Sequence, residues 1–169
     1  MARTIDKVGV IGAGQMGHGI AQVCAASGFQ VLLNDVSEER IEAGLATIQG
    51  NMARQIAKQI MTEDQCKQAL GRIAIARRLD DLSECDLVIE TAAEVEEIKR
   101  DIFAALCPVL NPDAIVGSNT SSISITRLAA TTDRPEQFIG LHFMNPVPLM
   151  ELASNMPDSW RRKASIYCC

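Results

Sequence analysis

Two short segments of this chain gather side chains that could move a proton beside a bound nucleotide. The first, Leu141-His142-Phe143-Met144-Asn145-Pro146-Val147-Pro148, holds one of the 2 histidines in the sequence. An imidazole titrates near neutrality, so His142 can take the proton of a secondary alcohol while hydride leaves for a nicotinamide ring. The second, Ser118-Asn119-Thr120-Ser121-Ser122, is a dense set of hydroxyl and amide groups able to hold the reacting oxygen. Each has a plainer reading: the serines as a helix N-cap cluster, His142 as a packed core imidazole.

A third segment supplies the nucleotide. Gly12-Ala13-Gly14-Gln15-Met16-Gly17 has G-x-G-x-x-G spacing between an apolar run and a helical pattern. There the first glycine can make a tight turn, the second can let a diphosphate approach the backbone, and the third can pack helix on strand. Asp35 follows Gly17 by 18 residues. A carboxylate at that place can accept both adenine-ribose hydroxyls and would repel a 2′-phosphate, which favours NAD over NADP. Without a ligand the same residues would be a packing turn and a helix cap. His18 reads as a partly exposed helix residue rather than a catalyst.

These residues need a scaffold, and the apolar runs predict one. Val8 to Ile11, with the strand starting at about Lys7, is followed by a helix from Gly17 to Ser27 and a second buried strand from Gln30 to Asn34. Ser37 is a good N-cap for a helix reaching about Ile60, and Thr62-Glu63-Asp64-Gln65 has capping-box spacing for another to about Leu70. Residues 37–70 therefore read as a helical hairpin inserted between strands. Short strands are expected at Ile73 to Ala76, Asp86 to Glu90, Ala114 to Gly117 and Phe138 to Phe143, with helices at about Val95 to Leu106 and Ile125 to Ala130. The alternation predicts an α/β fold, a Rossmann-type doubly wound, mostly parallel sheet whose carboxyl edge carries the site.

Composition narrows the partners. The 169 residues, 47% hydrophobic with a formal net charge of −5, fit one globular domain with no basic face for nucleic acid or anionic lipid. Cys24, Cys66, Cys85, Cys107, Cys168 and Cys169 are scattered without a Cys-x-x-Cys pair or a nearby histidine. Neither a metal site nor a disulfide framework is expected, and a reduced, cytoplasmic protein is. No apolar run approaches the roughly 20 residues of a membrane helix.

Ile11 to Gly17, Ser118 to Ser122 and Leu141 to Pro148, in this order and separation, resemble the amino-terminal domain of the 3-hydroxyacyl-CoA dehydrogenases, in particular the 3-hydroxybutyryl-CoA type. The resemblance covers about Lys7 to Leu152. It implies interconversion of a short-chain (3S)-3-hydroxyacyl-CoA and its 3-ketoacyl-CoA with NAD, in fatty acid or butanoate metabolism. His142 matches the family's general base, and Ser121 matches the serine that hydrogen-bonds the substrate oxygen. Gly12, Ala13, Gly14, Gln15, Met16, Gly17 and Asp35 match the cofactor turn and ribose contact. Glu94, Lys99 and Asn145 match nicotinamide-side cofactor contacts. The hairpin matches the family's coenzyme A-facing insertion, with Lys58 at a phosphate contact.

The resemblance stops at about Leu152. Ser154 stands where the family carries the glutamate that orients its histidine, and Glu151 is out of step with it. Residues 153–169 show neither strand alternation nor a helical pattern and are expected to be irregular, an aberrant ending or a short extension. The family's second, helical domain, through which its members dimerise, has no counterpart here, so the oligomeric state is left open. The alternative to the enzyme is accordingly a non-catalytic NAD-binding fragment or partner-dependent module. A 3-hydroxyisobutyrate-type dehydrogenase shares the glycine turn but lacks the Ser-Asn-Thr-Ser-Ser and Leu-His-Phe pair.

Overall fold

Strands that are buried on both faces carry no alternation to expose, and this accounts for the short continuous apolar runs. Every residue of Leu87–Glu90 is buried, as are four of the five in Lys7–Ile11. The computed structural model describes residues 4–148 and the strand Ser165–Tyr167. Six parallel strands form its sheet: β1 (Lys7–Ile11), β2 (Gln30–Asn34), β3 (Ile73–Ile75), β4 (Leu87–Glu90), β5 (Ile115–Ser118) and β6 (Phe138–His142). A seventh, β7 (Ser165–Tyr167), pairs antiparallel with β6, His142 opposite Ser165. The order is β3-β2-β1-β4-β5-β6-β7. The chain runs outward from β1 to β3 and then returns to β4 on the other side of β1. That reversal opens a crevice at the carboxyl ends of β1 and β4, where ligands of such sheets bind.

Helices close both faces. On one lie α1 (Gln15–Ala26), α2 (Glu38–Ala57) and α3 (Glu63–Leu70), whose Ile20, Val23, Ile41, Ile48 and Met52 pack against Val8, Val10, Leu33 and Ile89. On the other, α4 (Glu96–Leu106) and α5 (Ile125–Ala129) bring Phe103, Leu106 and Leu128 onto Ile11, Val88, Val116 and Phe138. Phe103 and Phe138 meet edge to face, ring centroids 4.9 Å apart, a geometry aromatic quadrupoles favour.

The hairpin starts and stops where its caps say it should. Ser37 Oγ accepts the Arg40 N–H, and Thr62 and Gln65 complete a reciprocal capping box at α3. α2 ends at Ala57, earlier than the Ile60 read from composition, because Lys58 leaves the helix and Gln59 takes a left-handed φ of 57°. The other expected strands and helices form with their ends moved by a residue or two. β7 lies in the tail expected to be irregular; Ser-Ile-Tyr has the β-branched and aromatic content of a strand, and the edge of β6 offers it backbone partners. Glu151, Ser154 and the remainder of residues 149–164, with Cys168 and Cys169, lie outside the described residues. Among those described, no helix is long and apolar enough to cross a membrane, and no cluster of histidine, cysteine or acidic residues could hold a metal.

Candidate active site

The glycine turn at the end of β1 is shaped by two close approaches. Gly12 has φ +97°, and a Cβ there would lie 2.8 Å from Thr91 Oγ1, so only glycine fits without strain. A Cβ on Gly17 would sit 1.6 Å from the Gly12 carbonyl oxygen, which fixes how closely α1 packs on the turn. Gly14 differs: a Cβ there would meet nothing within 4 Å. Gly14 is also the N-cap of α1 and gives its first turn no side-chain acceptor, and no acidic residue occupies that turn. The positive end of this 12-residue helix thus has no side-chain cap, and the space beside Gly14 is open. A diphosphate fits this cradle.

Asp35 flanks the cradle. Its Oδ2 accepts the Ala13 N–H at 2.6 Å and its Oδ1 the Val36 N–H at 2.7 Å, with Arg40 Nε 3.1 Å from Oδ1. Thr91, following β4, donates to the Ile11 and Gly12 carbonyls at 2.9 and 3.0 Å and so locks the turn to the neighbouring strand.

Beyond the turn, the ends of β4, β5 and β6 converge on a pocket of about 390 Å³. Met16 from the glycine turn, Glu94, Asn119, Ser121, His142 and Asn145 line it. Phe143 N donates to Asn119 Oδ1 at 3.0 Å, holding the end of β6 against that of β5. His142 itself is half-buried, and among the described residues its Nδ1 is buried without a hydrogen-bond partner.

One carboxylate organises the serine loop. Glu94 Oε1 accepts from the Thr120 hydroxyl, the Ser121 and Ser122 N–H groups and the Ser122 hydroxyl. Burial pushes its carboxyl up, but the Thr120 and Ser122 hydroxyls, the Lys99 ammonium and the Ser122 N–H outweigh it and hold Glu94 below the usual carboxylate range. Lys99 does not reach the pocket. Its side chain is 0% exposed, with Nζ 2.8 and 3.0 Å from the Glu90 oxygens and 3.6 Å from Glu94 Oε2. Ser118 Oγ and Ala92 N also donate to Glu90, each at 2.6 Å.

The pocket thus unites Met16, Glu94, Ser121, His142 and Asn145 of the expected residues. Asp35 lies at the far side of the glycine turn, Lys99 beneath Glu94, and Lys58 exposed at the end of α2, outside the pocket lining. His18 is half-buried in α1. Thr91 and Glu90 were not singled out by residue type, and Asn119 only as part of the Ser118 to Ser122 cluster. The sequence signal of Thr91 and Glu90 is position, since one directly follows and the other ends a buried strand.

Residues 7–160 match the family model described as 3-hydroxyacyl-CoA dehydrogenase, NAD binding domain. This chain belongs to that family. Among similar proteins, the 3-hydroxybutyryl-CoA dehydrogenase of Bradyrhizobium diazoefficiens is 68% identical over 152 residues, covering 90% of this chain and 52% of the relative. A probable 3-hydroxybutyryl-CoA dehydrogenase of Deinococcus radiodurans is 49% identical over 146 residues, 86% of this chain and 52% of the relative. The crystal structure of (S)-3-hydroxybutyryl-CoA dehydrogenase from Ralstonia eutropha superposes with a TM-score of 0.86 at 45% identity, over 88% of this chain and 53% of that one. The chain spans about half the length of the relatives it matches. The family's cofactor is NAD, and the open cradle at Gly14 has the shape and donors to take its diphosphate.

Proposed function

We propose that this chain is the cofactor half of an NAD-dependent oxidoreductase that interconverts short-chain (3S)-3-hydroxyacyl-CoA and 3-ketoacyl-CoA, with His142 as general base. The observation carrying this reading is that one pocket joins Met16 of the glycine turn to Ser121 and His142. NAD bound at the turn supplies the hydride acceptor. His142 takes the hydroxyl proton on oxidation and returns it on reduction. Ser121 donates to the reacting oxygen, and its loop is held ready by Glu94. Gly12 to Gly17 cradle the diphosphate, Asp35 receives the adenine ribose, and Glu94 and Asn145 face the nicotinamide side. Lys99 acts there through Glu94, since its own amine is buried on Glu90. Lys58, exposed at the tip of the hairpin, meets the coenzyme A phosphates.

The substrate is an acyl-CoA, in line with relatives that are 3-hydroxybutyryl-CoA dehydrogenases; the acidic net charge of −5 disfavours nucleic acid and anionic membrane surfaces as partners. The thiols of Cys85 and Cys107 are buried and raised above their usual range by desolvation, which makes them packing groups rather than nucleophiles; the setting proposed for the chain is cytoplasmic.

A second reading is an NAD-binding module that needs a partner for turnover. That His142 Nδ1 has no hydrogen-bond partner among the described residues favours it, because an imidazole whose other nitrogen is not held lacks a fixed tautomer. Acetoacetyl-CoA and NADH given to the purified chain separate the two. Consumption of NADH, followed at its absorbance band, is the result expected of the enzyme; NADH binding without consumption contradicts the enzyme reading and supports the module.

A further inference from the structure

The Asp35 carboxylate is pinned from inside by two backbone amides and covered from outside by a cation. Ala13 N and Val36 N hold one oxygen each, at 2.6 and 2.7 Å, and the side chain is 7% exposed. Arg40 Nε lies 3.1 Å from Asp35 Oδ1, while the Arg40 side chain is 64% exposed. The Arg40 backbone is set by α2, where its N–H donates to Ser37 Oγ. The neighbouring acids are otherwise engaged: Glu38 accepts from Arg77 at 2.6 Å, and Glu39 takes a hydrogen bond from Ser37. Among the described residues Asp35 is the ion-pair partner of Arg40.

We propose that Arg40 is a specificity-determining residue for the adenosine end of the dinucleotide, a guanidinium parked on Asp35 that limits how strongly a 2′-phosphate is refused. The proposal rests on the NAD reading above. A carboxylate at the ribose edge accepts hydroxyls and repels a phosphate, whereas an arginine at the same edge is the usual receptor for that phosphate. Here both occupy one place, with opposite charges in contact. The planar donors of Arg40 suit a phosphate better than a lysine would, and the Arg40 side chain, itself 64% exposed, is free on its outer side to exchange the Asp35 contact for one. Asp35 needs no help from Arg40 to stay in position, since Ala13 and Val36 already fix it. Arg40 therefore acts on the rejected nucleotide rather than on the accepted one.

Titration of the 169-residue chain with NADH and with NADPH, by nicotinamide fluorescence, tests this. Arg40→Ala is expected to weaken NADPH roughly fivefold, the reach of an exposed charge contact, and to leave NADH within about twofold because the amide anchors of Asp35 remain. Asp35→Asn, which keeps an acceptor but loses the charge, is expected to raise NADPH relative to NADH by about tenfold. Asp35→Asn with Arg40→Ala is expected to lose that gain. Equal weakening of both nucleotides by Arg40→Ala, or an NADPH gain that survives in the double variant, overturns the proposal. Failure of the unmodified chain to bind either nucleotide overturns the NAD reading itself.

Discussion

Glu94 gathers four donors onto one oxygen, and this makes the presentation of Ser121 depend on the charge of a neighbouring acid. Its folded pKa is held below the ordinary 4.5 of an unfolded glutamate. The stabilisation is therefore complete above about that value and is lost as the pH falls through the lower folded pKa. Thermal melts of the wild type and Glu94→Gln should differ by a constant margin from neutral pH down to the usual glutamate range, and the margin should close in more acid solution. A margin that widened toward acid would mean that Glu94 is held by something other than its charge. At this scale the glycine turn and Asp35 stand out in the sequence by residue type and spacing, whereas His142 and Ser121 each kept a packing or capping alternative on residue type and take their proposed roles from the family resemblance. The burial of Lys99 was not. Sequence separates it from Glu90 by an ordinary helix start, and only the packing of α4 over β4 and β5 turns an apparently surface-type lysine into the counter-charge of a buried acid.

At the scale of elements, the turn between β1 and α1 carries two glycine requirements of different origin. Gly17 is needed by the packing of the protein, and Gly14, in the function proposed above, by the ligand. Gly17→Ala would drive a methyl into the Gly12 carbonyl and should lower the melting temperature as well as abolish NADH binding. Gly14→Ala meets no protein atom within 4 Å and should melt with the wild type, yet weaken NADH by about tenfold by filling the cradle. Paired melts and titrations distinguish them; equal NADH affinity in Gly14→Ala and the wild type would remove the diphosphate from this turn. The hairpin was legible for a local reason, since Ser37 and the Thr62/Gln65 box act within four residues of themselves. The end of α2 and the strand β7 were not. Gln59 leaves the helix through a left-handed turn that composition does not forbid, and β7 exists through its pairing with β6, a non-local partner.

In the function proposed above, the whole molecule divides binding from chemistry along the sheet edge. The cradle and Asp35 sit by β1 and β2, and the pocket with Ser121 and His142 sits beyond β4, at the ends of β5 and β6. The α/β architecture was readable because parallel strands buried on both faces leave unbroken apolar runs separated by capped helices. The convergence of Glu94, Asn119 and His142 was not, since it depends on strand order, which places β4, β5 and β6 side by side. The division makes a direct prediction. NADH affinity and acetoacetyl-CoA reduction, measured side by side for the wild type and His142→Ala, should part company: the variant loses turnover while its NADH dissociation constant stays within about twofold, because no cradle contact involves the imidazole. A large loss of NADH affinity in His142→Ala would contradict the account and make His142 a structural residue of the cofactor site.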